Sequence, residues 1–314
     1  MLEGKVLITG GTGSLGKAIL ARAERESWPA EFIIFSRDET KQNILKQKYP
    51  QHRFVLGDIC RYNDLKRAMR GIDTVLHLAA YKQIPMAQNN IGATVQVNVI
   101  GSQNVVDAAI DNNVYKVVTT STDKAMSPEN AYGCVKKITE YIFQDANKYD
   151  ATTFHITRYG NVLMSNQSVG LLFKKQARDG GPLTITDRRM TRFFLTLDQA
   201  IDLILRALDT EPGHIVVPKA PSTYIYQLAE VIGDGLPVVE TGIRAGEKLD
   251  EGMVSESESF YVEEDEDHFY IHPPTDEYRN PDAPFSYMSN NPVRYITNEE
   301  LAEMITETER LYGI

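Results

Sequence analysis

Over the first 160 residues, short apolar and β-branched runs alternate with longer stretches whose apolar residues recur at helical spacing. Six strands are predicted: Lys5-Val6-Leu7-Ile8-Thr9, Glu31-Phe32-Ile33-Ile34-Phe35, Arg53 to Asp58, Asp73 to Ala80, Val114 to Thr120, and Thr153 to Val162 with its exit loop. Helical spacing covers Lys17 to Arg25, Tyr62 to Arg70 and Val95 to Asn112, and resumes near Ala131. This alternation predicts an α/β chain with a parallel, doubly wound sheet. The ligand site of such a sheet lies beyond the carboxyl ends of its strands, where Gly10, Ser36, Asp58, Ala80 and Thr122 fall. His77, inside an apolar run, is expected to be a packed core histidine. Past residue 160 the pattern loosens. Leu183 to Thr186 and His214 to Val217 read as short strands and Leu197 to Leu208 as a helix. The acidic run Val262 to Asp267 reads as a solvated loop.

The first strand runs into Gly10-Gly11-Thr12-Gly13-Ser14-Leu15-Gly16, and a helix follows. Strand, glycine turn and helix form the context a dinucleotide fingerprint requires. Glycines at positions 10, 13 and 16 let the backbone turn tightly and approach a pyrophosphate seated on the helix N-terminus. The second strand ends in Ser36-Arg37-Asp38-Glu39-Thr40-Lys41, where a Rossmann protein reads the adenosine ribose. An acid there selects NAD and an arginine accommodates the NADP 2′-phosphate; both types are present. Ser36, Arg37 and Lys41 offer a hydroxyl and two cations, so NADP is expected ahead of NAD.

The chemistry concentrates after the fifth strand. Ser121-Thr122-Asp123-Lys124 is followed by Ala131-Tyr132-Gly133-Cys134-Val135-Lys136. Tyr132 and Lys136 are four apart and share a helix face. A cation beside a phenol favours the phenolate and would make Tyr132 a usable base. For Lys124 to act as a base, burial or a nearby cation such as Lys136 must lower its pKa. In the second half Arg188, Arg189, Arg192, Arg244 and Lys248 supply cations, and Arg244-Ala245-Gly246-Glu247-Lys248 looks like a loop suited to an anion.

Composition narrows the classes. The 314-residue chain is 42% hydrophobic and carries a net charge of −10, which disfavours nucleic-acid or anionic-membrane binding. Cys60 and Cys134 give neither a disulfide framework nor metal-ligand spacing, which fits a reducing cytoplasm. No run reaches transmembrane length, and no signal peptide is expected.

Together these residues resemble the extended short-chain dehydrogenase/reductase superfamily, and within it the soluble, inverting UDP-N-acetylglucosamine 4,6-dehydratases of pseudaminic acid and capsule pathways. The carriers are the Gly10–Gly16 turn, Ser36-Arg37-Asp38-Glu39, Ser121 to Ala125 with Tyr132-Gly133, and Arg158-Tyr159-Gly160-Asn161-Val162. Ile185 to Phe193 and Gly242 to Leu249 add the two most specific stretches. Tyr132 stands where the membrane-anchored, retaining relatives usually carry methionine. The resemblance implies a Rossmann sheet over residues 1–165, with a returning segment near 190–212, and a smaller C-terminal substrate-binding domain over 166–314. It implies catalytic roles for Thr122, Asp123, Lys124, Tyr132 and Lys136. Cofactor contacts are implied for Gly10, Thr12, Gly13, Ser14, Leu15, Gly16, Ser36, Arg37, Asp38, Lys41, Asp58, Ile59, Leu78, Tyr132, Lys136 and Val162. Substrate contacts are implied for Lys82, Asn161, Arg192, Arg244 and Glu247. The implied reaction removes hydride from sugar C4, eliminates water across C5–C6, returns hydride to C6 and protonates C5 from the opposite face. A UDP-sugar substrate and a homo-oligomer follow from the same resemblance.

The sequence departs from the family in its substrate shell. Gln83 stands where histidine is usual, Asn166 and Gln167 replace arginine and glycine, Ala245 replaces proline and Asp250 replaces histidine. Two other readings compete: a nucleotide-sugar 4- or 5-epimerase using the same Tyr132, and a non-catalytic NADP-binding protein. The Asp123-Lys124 pair favours the dehydratase, because simple 4-epimerases do not need it.

Overall fold

The computed structural model describes residues 1–149, 151–274 and 278–313. Strands β1 (Gly4–Thr9), β2 (Ala30–Ser36), β3 (Arg53–Leu56), β4 (Thr74–His77), β5 (Lys116–Thr122) and β6 (Thr153–Tyr159) form a parallel sheet in the order β3-β2-β1-β4-β5-β6. This is the expected doubly wound arrangement. The third and fourth strands end at Leu56 and His77, short of the expected Asp58 and Ala80, because the chain there leaves the ladder towards the ligand edge.

Helix α1 (Ser14–Arg25) packs with the Leu197–Leu208 helix, which lies on β5 and β6. On the other face the Tyr62–Ala68 helix packs on the Gly101–Asp111 helix, and that helix on the Ala131–Asp145 helix against β5 and β6. The sheet interior is apolar, as burial of both faces demands: Val6, Leu7, Ile8, Phe32, Ile34, Val75, Leu76, Val117 and Val118 are buried. His77 is in this core, as expected. Its ring bonds Thr9 Oγ1 (2.8 Å) and Ser102 Oγ (3.0 Å), and burial, aided by the positive Lys136, lowers it to about 3.

The second half contributes more to the sheet than a return near 190–212. Ile215–Pro218 pairs in parallel with β6, and a hairpin of Val262–Glu264 and His268–Ile271 closes the edge. The acidic run is therefore partly an edge strand. Val262 is buried in the core while Glu263 and Glu264 face water, and edge charge of this kind discourages further pairing. Outside the sheet, the helices Val169–Arg178, Ile225–Gly233 and Asn298–Tyr312 build a second apolar cluster with the strands Leu183–Ile185 and Val238–Glu240. Thr191–Leu195 is buried along its whole length between the two clusters. Phe193 enters the first and Phe194 the second, as the two-residue period of a strand requires. No helix among the described residues is long and apolar enough to cross a membrane.

One charged cluster ties these parts together. Arg158 of β6 is fully buried. Its Nε and Nη2 donate to the two oxygens of Glu140 (2.8 and 2.7 Å) and its Nη1 to the Met253 carbonyl (2.9 Å). Glu258 accepts from both terminal nitrogens (3.0 and 2.8 Å), and Lys137 joins both glutamates (3.3 and 2.8 Å). Removing one member strands the others in a dry interior. Arg158→Met should cost about 3 to 5 kcal/mol in chemical denaturation. A loss below about 1 kcal/mol would mean that water relieves the carboxylates. The cluster also gives acid sensitivity. Burial pushes the Glu258 carboxyl up, but Arg158 and Lys137 outweigh it and hold it well below the usual range. Its contribution is present above the unfolded value of about 4.3 and is lost as pH falls below that. In Arg158→Met the acid-dependent part of the stability should shrink.

Candidate active site

Strand β5 ends in a single helical turn, Asp123–Ala125. Thr122 organises it: its Oγ1 donates to Asp123 Oδ1 (2.8 Å) and accepts from the Lys124 N–H (3.4 Å). Lys124 Nζ lies 3.0 Å from Asp123 Oδ1. The Ala131–Asp145 helix starts at Asn130, whose Oδ1 caps the Gly133 N–H (2.9 Å). A Cβ on Gly133 would lie 2.2 Å from the Lys124 carbonyl oxygen, so a glycine is what lets this helix sit against the turn. Tyr132 thereby reaches the turn from the helix, with Thr122 and Asp123 against its phenol, while Lys136, one turn on, is buried near His77 and Glu140.

Two electrostatic expectations are corrected. Tyr132 is not primed as a phenolate: burial and the negative Asp123 push it well above its ordinary value, with Thr122 only partly opposing. The basic form of Tyr132 therefore needs positive charge beyond what these side chains supply. Lys136 does respond to its surroundings, lowered by burial to about 8 against the pull of Glu140. Burial alone would also lower Lys124, but Asp123 and Glu251 outweigh it and raise it. Lys124 is thus an ammonium in the resting protein.

Glu251 is the residue that sequence reasoning missed. Its Oε1 lies 3.3 Å from Lys124 Nζ, and the residue is 2% exposed. An acid opening the short apolar strand Gly252–Val254 is the only signal the sequence carries, and it is weak. Arg192 is also buried here, but its guanidinium is committed to the carbonyls of Thr191, Leu249 and Lys248 (2.6, 2.8 and 2.8 Å) and lies 3.8 Å from Glu251. Arg188 pairs with Glu240 and Arg189 with Asp187, so neither is an unclaimed cation.

The Arg244–Lys248 loop reaches the same place from far along the chain. Asn130 Nδ2 donates to the Gly246 carbonyl (2.9 Å), and Lys248 Nζ donates to the carbonyls of Met126 and Ser127. Arg244 is exposed and its N–H donates to Glu247 (3.3 Å). Asn161 lies in the short strand Asn161–Val162 beside Phe194–Leu195. Lys82 is exposed just past β4. Asp250, the histidine replacement, accepts from Thr191 (2.5 Å) and Asn290 (3.0 Å).

The glycine turn leaves the shape a pyrophosphate requires. Gly10 has φ +67°, and a Cβ there would meet the Ala79 backbone at 2.8 Å. A Cβ on Gly16 would strike Gly11 at 2.4 Å. Gly13 caps α1 without a side-chain hydrogen bond, leaving the first turn around Ser14 and Leu15 open to an anion. Thr12 is buried beside it, and Ser14 Oγ accepts from the Asn166 N–H (2.8 Å). At the ribose end Ser36 is held by Gln42 (3.1 Å). Arg37 donates to the Tyr81 hydroxyl (2.7 Å) and lies over its ring. Asp38 caps the Glu39–Lys48 helix and pairs with Lys41 (2.9 Å). Asp58 accepts from the Cys60 N–H (3.0 Å), Ile59 is buried, and the Leu78 N–H donates to the Thr9 carbonyl (3.2 Å). The residues present thus fit a dinucleotide.

Asn98 adds an element that periodicity cannot reveal. The long helix widens to a π turn over Gln96–Ile100, and the Asn98 side chain makes two 2.8 Å bonds to the Tyr81 backbone, fixing the loop after β4.

A family model described as polysaccharide biosynthesis protein matches residues 6–273. A Campylobacter jejuni (serotype O:2) protein named UDP-N-acetylglucosamine 4,6-dehydratase (inverting) is 37% identical over 97% of this chain and 98% of its own length. A Rickettsia akari protein named UDP-glucose 4-epimerase is 40% identical over 80% and 77%. The X-ray structure of Pen from Bacillus thuringiensis superposes with a TM-score of 0.90 at 34% identity, covering 98% of both chains. A dTDP-glucose 4,6-dehydratase, DesIV from Streptomyces venezuelae, shares the fold at TM-score 0.70 and 23% identity over 78% and 86%. With matches of this extent, the chain belongs to the polysaccharide biosynthesis protein family, alongside the inverting UDP-N-acetylglucosamine 4,6-dehydratases.

Proposed function

We propose that the protein is a C5-inverting nucleotide-sugar 4,6-dehydratase acting on UDP-N-acetylglucosamine. The carrying observation is the buried Asp123–Lys124 ion pair at the end of β5, with the Tyr132 phenol brought against Thr122 and Asp123. A nicotinamide dinucleotide held by the Gly10–Gly16 turn and the Ser36–Lys41 segment would supply a hydride acceptor for C4 and a hydride donor for C6. Tyr132 takes the C4 hydroxyl proton, with Thr122 against its phenol. Once C4 is a ketone the C5 proton is acidic. Asp123 and Lys124 then provide a carboxylate and an ammonium side by side for moving protons at C5 and C6. Inversion needs groups serving both faces of the sugar, and Tyr132 on the helix opposite the Asp123–Lys124 turn widens the set available.

NADP is the favoured form of the cofactor. Asp38 is engaged as a helix cap and by Lys41, so it is less open to a ribose hydroxyl, whereas Arg37 is exposed and steadied by Tyr81. Arg244, Glu247, Lys82 and Asn161 are assigned to the nucleotide sugar. Gln167 holds φ +64°, a backbone conformation that suits glycine, at a position where the family pattern has glycine. The same reading has the protein working in the cytoplasm, which the free thiols of Cys60 and Cys134 support. It assembles with copies of itself through the face of the Gly101–Asp111 and Ala131–Asp145 helices. Ile138 and Tyr141 are exposed on these helices, which also frame a groove of about 270 Å³ lined by Val106, Ile110, Ile142 and Tyr149 together with Asp107, Asp111 and Asp145. Light scattering giving the mass of a single chain would remove that assignment.

The reading is tested by proton NMR with UDP-N-acetylglucosamine in D₂O. A 4-keto-6-deoxy sugar with inverted, deuterated C5 is expected. The names of the Rickettsia relatives favour a second reading, a 4-epimerase, which would give a C4 epimer with no loss of water. Lys124→Ala should slow elimination by about a hundredfold or more while hydride transfer from C4 persists. Turnover at the native rate would refute the role of Lys124. Arg37→Ala should weaken NADP binding by about tenfold and leave NAD binding unchanged. Equal losses for both would argue against recognition of the 2′-phosphate.

A further inference from the structure

Glu251 is a buried carboxylate beside the reacting groups to which the dehydratase reading gives no task. Its position is set by the chain and not by Lys124. The Glu251 N–H donates to Ser289 Oγ (2.9 Å), and its carbonyl accepts from the Ser289 N–H (2.8 Å). The next residue, Gly252, packs so tightly on Met126 that a Cβ there would meet the Met126 side chain at 1.7 Å. The Glu251 carboxylate is thereby brought up to the Asp123–Ala125 turn. Its Oε1 stands 3.3 Å from Lys124 Nζ, which Asp123 Oδ1 approaches to 3.0 Å from the other partner. Arg192, from the Thr191–Leu195 strand, lies 3.8 Å from the same Oε1 but gives its hydrogens to backbone carbonyls. Lys248, from the preceding loop, is the other cation acting on Glu251 and is tied to the Met126 and Ser127 carbonyls. Tyr132, from the Ala131–Asp145 helix, is the titratable group that approaches Asp123 on the other side.

Two buried oxygens here make no hydrogen bond: Asp123 Oδ2 and Glu251 Oε2. Leaving a dry carboxylate oxygen unpaired is costly, and a purely structural site would have paired it or replaced the acid with an apolar residue. We propose that Glu251 is a positioning residue for Lys124, holding the ammonium against Asp123 and setting the pH at which Lys124 exchanges its proton in turnover. Burial would strip the proton from Lys124, and Asp123 and Glu251 together keep it, while burial and Asp123 push the Glu251 carboxyl up against the pull of Lys124, Arg192 and Lys248. Lys124 stays charged until the substrate's chemistry calls on it, and the second carboxylate restores that state afterwards.

Glu251→Gln keeps the size and a hydrogen-bonding oxygen but removes the charge. The ammonium then loses one of two counter-charges, so Lys124 releases its proton at lower pH. In the pH profile of kcat/KM with UDP-N-acetylglucosamine, the limb that reports Lys124 should move acidward by about one pH unit or more. If Lys124 donates its proton the basic limb moves, and if it accepts one the acidic limb moves. Glu251→Asp, which keeps the charge but withdraws it by one methylene, should move the limb less. Limbs unchanged in Glu251→Gln, with only kcat reduced, would overturn the proposal and leave Glu251 a packing residue. Should Glu251→Gln fail to fold, Glu251→Asp carries the same test, a displaced limb supporting the proposal and a native profile overturning it.

This readout rests on the dehydratase reading, so a second measurement is independent of turnover. Lysine labelled with ¹³C at Cε is titrated by NMR in the full chain, with Lys124 identified by the resonance missing from Lys124→Met. An acidward midpoint in Glu251→Gln supports the proposal even if the native protein does not turn over the sugar, in which case only the dehydratase reading fails. An unmoved midpoint overturns the proposal whatever the activity.

Discussion

A guanidinium cut off from water must be surrounded by acceptors, and Arg158 draws them from three separate parts of the chain. Glu140 comes from the helix that carries Tyr132 and Lys136, the Met253 carbonyl from the strand that follows Glu251, and Glu258 from the short helix beyond it. Ser121, just before the Asp123–Lys124 turn, donates to the same Glu140 oxygen (2.7 Å). One buried charge thus fixes the relative positions of β5, the Ala131–Asp145 helix and the segment that supplies Glu251. Two carboxylates and two cations balance within the cluster, which is what makes such burial tolerable.

The same rule operates one layer closer to the ligand edge. Asp123 and Glu251 face Lys124 and Arg192, again two against two. The difference lies in satisfaction. In the Arg158 cluster both oxygens of Glu140 and of Glu258 are bonded, whereas at the Lys124 site one oxygen of each carboxylate is not. A saturated cluster holds the frame still. An unsaturated one keeps room for a proton or a substrate hydroxyl, which is where chemistry is expected. Tyr132 fits this division. Its phenol is held protonated by burial and by Asp123, so its activation depends on what arrives in the site.

Two of the departures from the family pattern sit in defined local settings. Gln167 keeps a left-handed backbone where glycine would be at ease, and Asp250 is absorbed into a bond network with Thr191 and Asn290.

The sequence by itself determined the doubly wound half, because a strand buried on both faces and a helix buried on one leave different periods in the residue order. It also determined the glycine turn, the Asp123–Lys124 turn and the Tyr132–Lys136 face, since each depends on neighbours three or four residues apart. The tertiary structure decided whatever depends on distant partners. The acidic run at 262–267 became in part an edge strand because His268–Ile271 was there to pair with it. Arg192 was spent on carbonyls, and Glu251 was carried 127 positions along the chain to meet Lys124, a contact no local pattern encodes. The protonation of Tyr132 and Lys124 belonged to the tertiary structure as well. Helical spacing shows which groups are neighbours, but burial and the full set of surrounding charges decide which form each one holds.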